Sequence, residues 1–106
     1  MLKVSIITVC FNCENTIENT LNSVLNQNYK NIEYIVIDGS STDNTTKIIN
    51  KYKDKIKVII SEKDNGIYNA INKGIKLATG DIISLIHGND IFTNYEVVSE
   101  AVEHFK

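Results

Sequence analysis

The chain has 106 residues, of which 42% are apolar and 23% charged, which is typical of a single globular domain. Its formal net charge of −2 does not favour nucleic acid or an anionic membrane surface as a partner, because no positive field attracts polyanions. No apolar run approaches the roughly 20 residues of a membrane-spanning helix, and the first residues do not resemble a signal peptide. We therefore expect a cytoplasmic protein without a transmembrane segment.

The hydrophobic pattern predicts four strands, each a short apolar and β-branched run, and four helices with apolar residues at helical spacing. The strands are predicted at residues 4–9, 32–37, 56–60 and 81–86. The first helix is predicted from Glu14, with Asn12 or Cys13 as its N-cap.

The later helices carry further start and stop signals. Ser41 or Thr42 is expected to cap the second helix, and Gly80 is expected to end the third in the left-handed conformation. Thr93 and Glu96 have the spacing of a capping box at the start of the fourth helix. Strands that alternate with helices in this way predict a parallel sheet with right-handed crossovers.

The predicted fold class is therefore α/β, with a Rossmann-like three-layer arrangement and a mainly parallel sheet. Residues 1–106 are expected to form one domain, the N-terminal part of a longer protein, because the fourth strand leaves an open sheet edge. That edge could also pair with a second copy of the chain, so a homo-oligomer is a further expectation.

Cys10 and Cys13 form a C-x-x-C pair between the first strand and the first helix. A helix N-terminus lowers a thiol pKa, so this position would suit a redox dithiol. The chain has no proline, however, and a thioredoxin-like site needs one opposite the dithiol. A zinc site would need two more ligands, and only His87 and His104 are available, at unrelated spacing. Two thiols without redox or metal function are the favoured interpretation.

Polar and aromatic side chains follow every predicted strand. In open α/β sheets, ligands bind beyond the carboxyl ends of the strands, where the strand order reverses. An aromatic ring there can stack on a base, and an Asp can bind ribose, a ring N–H or a divalent cation. These candidates are Cys10, Phe11 and Asn12 after the first strand, Asp38 after the second, Asp64 after the third, and Asn89 and Asp90 after the fourth.

Each candidate also has a purely structural interpretation. Asp38 could belong to a plain turn with Gly39, and Phe11 could be a core aromatic residue. His87 is expected to be a packed histidine at a strand end. Common nucleotide folds lack their motifs here, since no G-x-G-x-x-G follows the first strand and no P-loop is present. A phospho-receiver domain would need acidic residues after the first strand.

Four segments carry a resemblance to a known family: VSIITVCFN, IEYIVIDGSSTDNT, SEKDNGIYNAINKGIKLATGDII and LIHGND. In this order and spacing the chain resembles the family 2 glycosyltransferases of the GT-A fold, over essentially its whole length. The resemblance implies a nucleotide-sugar-binding domain that lacks the C-terminal acceptor-binding part. It also implies an enzyme of bacterial polysaccharide assembly, working in the cytoplasm or at the inner face of the membrane.

The resemblance implies roles for particular residues. Thr8 and Phe11 would line the nucleobase pocket, and Asp38 would hydrogen-bond the base, most often uracil. Asp64 and Gly66 would contact the nucleotide. Asn89 and Asp90 would occupy the family's acidic pair, in which the last Asp binds Mn²⁺ or Mg²⁺.

Two departures from the family pattern qualify these roles. Asn89 replaces a carboxylate by an amide, which brings no charge to a metal site. The family's catalytic base is an Asp of the acceptor-binding half, and it is expected beyond residue 106.

The resemblance implies an inverting transfer of a sugar from a nucleoside-diphosphate sugar, with a UDP-sugar expected, to a glycan or lipid-linked acceptor. The alternative is a non-catalytic nucleotide-sugar-binding module or a truncated pseudoenzyme. A C-x-x-C oxidoreductase is a more distant third.

Overall fold

The computed structural model describes all 106 residues, Met1 to Lys106, and confirms the alternation of strands and helices. None of the helices combines the length and apolarity needed to cross a bilayer. The elements are β1 (Val4–Cys10), α1 (Ile17–Leu25), β2 (Ile32–Asp38), α2 (Thr45–Asn50), a 3-10 turn (Lys53–Lys55), β3 (Val58–Ser61), α3 (Ile67–Leu77), β4 (Ile82–His87) and α4 (Val97–His104).

The sheet is entirely parallel, with the strand order β3-β2-β1-β4. The chain therefore builds outward from β1 to β3 and then crosses back through α3 to place β4 on the other side of β1. The strand order reverses between β1 and β4, so a ligand site is expected beyond their carboxyl ends. The register aligns these ends, because Cys10 pairs with Asp38 and Val9 pairs with His87.

Both faces of β1 are covered, which explains why all its residues are apolar or small and all are buried. On one face Ile6 packs with α1, α2 and α4 in the larger of two hydrophobic clusters. On the other face Ile7 and Val9 pack against α3. A Cβ at Gly74 of α3 would lie 2.5 Å from a methyl carbon of Ile7, so glycine allows this helix to approach the sheet closely.

β4 is an edge strand and is less protected than the strands at the centre. Its outer edge has no partner strand. Ile83 and Leu85, on the α3 side, remain 48% and 40% exposed. The open edge that the sequence predicts is therefore present, and part of its apolar face is in solvent.

The N-cap expected for the first helix is wrong. α1 begins at Ile17, and Asn12 lies in the left-handed region with φ of 50°. The side-chain oxygen of Asn12 instead accepts the backbone N–H of Thr42 at 2.9 Å, in the neighbouring loop. Asn12 therefore joins the loops after β1 and β2.

The other expected helix signals are also replaced. α2 begins at Thr45, whose N–H is accepted by Asp43 at 2.9 Å, so neither Ser41 nor Thr42 is its cap. The predicted capping box is absent, because α4 begins only at Val97. The N–H of Val98 is accepted instead by the side chain of Gln27 at 3.0 Å, a residue that follows α1.

Gly80 does not end α3 in a left-handed conformation. The helix ends at Leu77, and the φ of Gly80 is not positive. Glycine is required there for space, because a Cβ would lie 2.6 Å from Ser5 Oγ, 2.8 Å from Ser5 N and 2.9 Å from Lys3 O. The loop between α3 and β4 thus packs directly on the backbone of β1.

Candidate functional site

A cleft of about 330 Å³ opens at the carboxyl edge of the sheet, where the strand order reverses. Its walls are the end of β1 with the following loop, the start of α3, and the loop after β4. Five residues expected at the site lie on these walls: Cys10, Phe11, Asp64, Gly66 and Asn89. A neighbouring opening of about 380 Å³ is bordered by Phe11, Gly39, Ser40, Lys63 and Asp64.

Phe11 stands between the two openings and is 58% exposed, which excludes the core-aromatic interpretation. Its ring lies beside Gly39, since a Cβ built there would be 3.4 Å from Phe11 Cδ1. The same Cβ would be 3.0 Å from Asp64 Oδ2. The absence of a side chain at residue 39 therefore leaves an aromatic face and a carboxylate accessible next to each other.

Asp64 and Gly66 form the turn that leads into α3. Asp64 Oδ1 accepts the N–H of Gly66 at 3.2 Å. Gly66 has φ of 112° and ψ of 177°, a conformation that essentially only glycine adopts without strain. This turn holds Asp64 at the cleft with its second oxygen directed toward Gly39.

Thr8 does not reach the cleft. Side chains alternate along a strand, and Thr8 is fully buried on the face opposite to Val9. Its hydroxyl is hydrogen-bonded to the hydroxyl of Tyr34 at 2.7 Å, between β1 and β2. In place of the expected contact with a nucleobase, Thr8 contributes a polar pair to the core.

Asp38 is also fully buried, in contrast to the expected contact with a base. Its carboxylate accepts the N–H of Ser41 at 2.9 Å, the hydroxyl of Ser41 at 2.5 Å and the hydroxyl of Ser61 at 2.8 Å. Cys10 Sγ lies 3.5 Å from Asp38 Oδ1. The side chain is thus bonded within the protein and is not among the residues that line the cleft.

The two cysteines border the cleft as free thiols. Burial raises the pKa of the Cys10 thiol well above its usual range, and the negative charge of Asp38 raises this pKa further. Cys13 Sγ donates to the main-chain oxygen of Phe11 at 3.3 Å. Because the thiolate is the reactive form and Cys10 remains protonated, these contacts disfavour the redox interpretation.

The loop after β4 is attached to α1 by two threonine hydroxyls. Thr16 Oγ1 donates to the main-chain oxygen of Gly88 at 2.9 Å, and Thr20 Oγ1 donates to that of Asp90 at 2.6 Å. A Cβ at Gly88 would lie 2.6 Å from the Cβ of Cys10, so the loop also packs tightly against β1. These contacts hold Asn89 against the cleft.

Asn89 and His87 line the cleft, whereas Asp90 does not. Asn89 is exposed and lines the cleft, whereas Asp90 is exposed beside it and is not part of its lining. His87, expected to be a packed histidine, is only partly buried and also lines the cleft. Both members of the expected pair at the end of β4, Asn89 and Asp90, are thus accessible to a ligand.

The hydroxyls that support the site from behind, those of Thr16, Thr20 and Ser61, were not predicted from the sequence. Thr16 and Thr20 are distant in sequence from the loop after β4 that they contact. One signal was present, because Thr20 occurs at helical spacing among Ile17, Leu21 and Val24 on the buried face of α1. A hydroxyl in such a stripe needs a partner, and the loop after β4 provides it.

The fit of these residues to a divalent cation can be tested from their donor groups. No three His, Cys, Asp or Glu side chains converge so as to hold a metal ion by themselves. Asp90 offers one exposed carboxylate, and the neighbouring Asn89 offers an amide oxygen. Mg²⁺ is commonly bound through one or two carboxylates together with substrate phosphates. The residues therefore fit a cation that a diphosphate brings with it.

Comparison with known proteins relates this geometry to a family. A family model described as Glycosyl transferase family 2 matches residues 5–106. The UDP-Glc:alpha-D-GlcNAc-diphosphoundecaprenol beta-1,3-glucosyltransferase WfaP of Escherichia coli is 41% identical over 98 residues. That match covers 92% of this chain and 39% of the relative, so the chain spans well under half of the relative's length.

Solved structures show the same arrangement of strands and helices. S. aureus TarS in complex with UDP-GlcNAc has a TM-score of 0.85 at 28% identity, over 96% of this chain and 30% of that chain. The mannosyltransferase PcManGT from Pyrobaculum calidifontis, in complex with GDP-Man and Mn²⁺, has a TM-score of 0.88 at 23% identity. The latter match covers 96% of this chain and 32% of that chain, and it supports the fold alone. The expected GT-A type of fold is confirmed.

Proposed function

Because the chain belongs to glycosyl transferase family 2, we propose that it is the donor-binding part of an inverting glycosyltransferase that uses a nucleoside-diphosphate sugar. The observation that carries this proposal is the cleft at the strand-order reversal, where the exposed ring of Phe11 adjoins the carboxylate of Asp64. A UDP-sugar is the proposed donor, because WfaP is named for UDP-Glc and TarS was solved with UDP-GlcNAc.

The nucleoside would lie on the side of the cleft where Phe11, Gly39 and Asp64 meet. An aromatic face can stack on a base, and Gly39 leaves room for the base to approach. The free oxygen of Asp64 can accept a hydrogen bond from ribose or from a ring N–H. Asp38 and Thr8 would support this wall from the interior.

The diphosphate would face the loop after β4. The side-chain N–H groups of Asn89 can donate to phosphate oxygens, and Asp90 would hold a divalent cation together with the diphosphate. Mn²⁺ or Mg²⁺ supplies neutralisation of the charge on the diphosphate leaving group. The Thr16 and Thr20 hydroxyls keep the loop in position while the ligand binds.

The proposed reaction is a displacement at the anomeric carbon of the sugar. A hydroxyl of a glycan or lipid-linked acceptor forms the new bond to that carbon, the bond to the diphosphate breaks, and the nucleoside diphosphate leaves. The hydroxyl proton passes to a base expected beyond residue 106. In this proposal the protein works at the inner face of the membrane, because a lipid-linked acceptor, such as the diphosphoundecaprenol-linked one in the name of WfaP, is held by a membrane.

A second candidate is a nucleotide-sugar-binding module without catalysis. It is favoured by Asn89, which supplies an amide where the family pattern has a carboxylate. Both candidates require a nucleotide in the cleft, and they differ in the dependence of binding on metal.

Calorimetry with UDP, with and without Mn²⁺, tests the proposal. We expect UDP to bind and Mn²⁺ to increase its affinity. Absence of binding at millimolar UDP would refute both candidates. Binding that ignores Mn²⁺ would favour the non-catalytic module.

The variant Asn89→Asp should increase the effect of Mn²⁺ on UDP affinity, because it restores a second carboxylate next to Asp90. Asn94→Asp is a matched control, since Asn94 is exposed and follows the same strand but does not line the cleft. An equal response of the two variants would contradict the position assigned to Asn89.

A further inference from the structure

We propose that Asp38 is a positioning residue of the nucleotide site: a buried carboxylate that holds together the loops after β1, β2 and β3 without touching the ligand. The inference rests on the proposed function, because it concerns how the cleft is made ready for a nucleotide. It assigns to Asp38 a role different from direct recognition of a base.

Asp38 has no accepting capacity left for a ligand. An ionised carboxylate offers about four lone-pair sites. Four donors from the protein approach them: the Ser41 hydroxyl and the Cys10 thiol at Oδ1, and the Ser41 N–H and the Ser61 hydroxyl at Oδ2. The residue is also completely buried. A base in the cleft would have to displace one of these donors to reach it.

The donors to Asp38 belong to three segments around the cleft and its neighbouring opening: the end of β1, the loop after β2 and the end of β3. Ser61 is the last residue of β3 and leads to the turn that carries Asp64. The Ser41 hydroxyl donates to Asp38 and also accepts the N–H of Asn12 at 2.8 Å, the residue that follows Phe11. Through these two serines, one carboxylate connects the loop of the aromatic ring with the loop of Asp64.

The backbone near the donors adopts left-handed conformations that other contacts must stabilise. Ser40, between Asp38 and Ser41, has φ of 66°, and Asn12 has φ of 50°. Residues other than glycine adopt this region at a cost, and they remain there when surrounding contacts hold them. The hydrogen bonds of Asp38 and Ser41 hold this segment, together with those from Thr42 N–H to Asn12 and from Gly39 N–H to Cys10.

These walls meet at Gly39, where a Cβ would be within 3.0 Å of Asp64 Oδ2 and 3.4 Å of the Phe11 ring. A small shift of the loop containing Ser41 would therefore change the separation between the ring and the carboxylate. Asp38 sets that separation from the interior of the protein. The nucleotide contacts the Phe11 ring and the Asp64 carboxylate but not Asp38.

Calorimetry of UDP binding by the full chain tests the inference with four variants. Asp38→Asn places amide N–H groups against the donors of Ser41 and Ser61, and we expect about tenfold weaker binding. Ser61→Ala removes one support, and we expect a loss of about threefold, whereas Ser61→Thr keeps the hydroxyl and should restore binding. Glu33→Gln is the control, because it alters a buried carboxylate of the same strand at the edge away from the cleft.

The control Glu33→Gln separates positioning from general destabilisation, and Ser61→Ala separates positioning from a direct contact with the base. A merely structural effect would lower UDP affinity in Glu33→Gln as much as in Asp38→Asn after matching for the fraction folded. A direct contact with the base would instead weaken UDP binding in Asp38→Asn while Ser61→Ala binds normally. Either result would overturn the inference.

Failure of the proposed function and failure of this inference give different results. If the unmodified chain does not bind UDP, the proposed function fails and the inference fails with it. If the unmodified chain binds UDP but Asp38→Asn and Ser61→Ala bind equally well, the inference alone fails. Ser61→Ala changes a single hydroxyl, so it provides a readout even if Asp38→Asn does not fold.

Discussion

The two ends of β2 each bury a carboxylate, and the comparison separates the part of the molecule that stabilises the fold from the part that forms the site. Glu33, at the amino end, accepts the Ser5 hydroxyl at 2.7 Å and the N–H of Thr79 at 2.9 Å. It also forms an ion pair with Lys3 at 3.3 Å. This network closes the loop between α3 and β4 against β1 and borders none of the cleft.

Asp38, at the carboxyl end, is satisfied by hydroxyl, thiol and N–H donors and has no lysine partner. Its donors are Cys10, which lines the cleft, and Ser41 and Ser61, which lie in or next to the segments around the cleft and its neighbouring opening. Both carboxylates satisfy the rule that buried charge must be hydrogen-bonded. They differ in where their partners lie: those of Glu33 lie at the edge of the sheet away from the cleft, and those of Asp38 lie in or next to the cleft. Damage at Glu33 should therefore appear in stability, and damage at Asp38 should appear in ligand binding.

The largest effect is expected at Glu33 and depends on pH. Burial alone would raise the pKa of Glu33, but hydrogen bonds from the Thr79 backbone, Ser5, the Thr79 hydroxyl and Lys3 lower it from 4.5 to about 2. A lowered pKa stabilises the folded protein above the unfolded value, and this stabilisation is lost as pH falls from 4.5 toward about 2. The linkage corresponds to about 3 kcal/mol at neutral pH.

Glu33→Gln should therefore lower the free energy of unfolding most above pH 5, and the difference from the unmodified chain should shrink on acidification to about pH 2. Urea unfolding at a series of pH values measures this difference. A difference that stays constant over the interval would show that the carboxylate charge of Glu33 contributes nothing.

A smaller effect on the free energy of unfolding is expected from adding one methyl group at the amino edge of the sheet, at Gly80, or at the carboxyl edge, at Gly88. In Gly80→Ala the new carbon would lie within 2.9 Å of Ser5 and of the Lys3 backbone, and in Gly88→Ala it would lie 2.6 Å from the Cys10 Cβ. Overpacking of this kind costs about 2 kcal/mol. We expect both variants to unfold at lower urea concentration, but only Gly88→Ala to bind UDP more weakly at equal fraction folded. Equal affinities would contradict the division between the two edges.

The smallest effect is expected from Thr20→Val, which keeps the shape of the side chain and removes the hydroxyl that donates to Asp90. The partly buried carbonyl of Asp90 then loses a partner, at a cost of about 1 kcal/mol. We expect UDP affinity and its increase by Mn²⁺ to fall about threefold, because the loop after β4 is less well held.

Thr79→Val is the matched control, since it removes a hydroxyl that donates to Glu33 at 2.8 Å on the opposite edge. Calorimetry should find its UDP affinity unchanged. A loss of affinity in Thr79→Val equal to that in Thr20→Val would indicate a general effect of stability on binding.

Much of the fold could be predicted from local pattern. The four strands were expected within about two residues of their observed bounds, because continuous apolar runs and helical spacing are properties of short segments. Phe11, Asp64 and Asn89 were placed at one edge because parallel strands bring their carboxyl ends together, and all three line the cleft, as does Gly66, which the family resemblance implied.

The errors concern hydrogen bonds between segments distant in sequence. The first helix was expected from Glu14 but begins at Ile17. The N–H of Cys13 is accepted by Thr45, the first residue of α2, and that of Glu14 is accepted by Asp43 of the preceding loop. The N–H of Val98 in α4 is accepted by the side-chain oxygen of Gln27 rather than by a capping box. Side chains capable of local capping were present, but a neighbouring segment offered better-placed acceptors.

The sequence by itself determined the order of elements, the parallel sheet and the edge where the cleft lies, since these follow from periodicity and from strand polarity. Only the tertiary structure decided which carboxylate faces the cleft. Asp38 and Asp64 both follow the pattern of a strand-end acid, yet the first is enclosed by Ser41, Ser61 and Cys10 while the second is accessible. The reason is physical: burial and hydrogen-bond partners depend on residues that come together only when the loops after three strands meet.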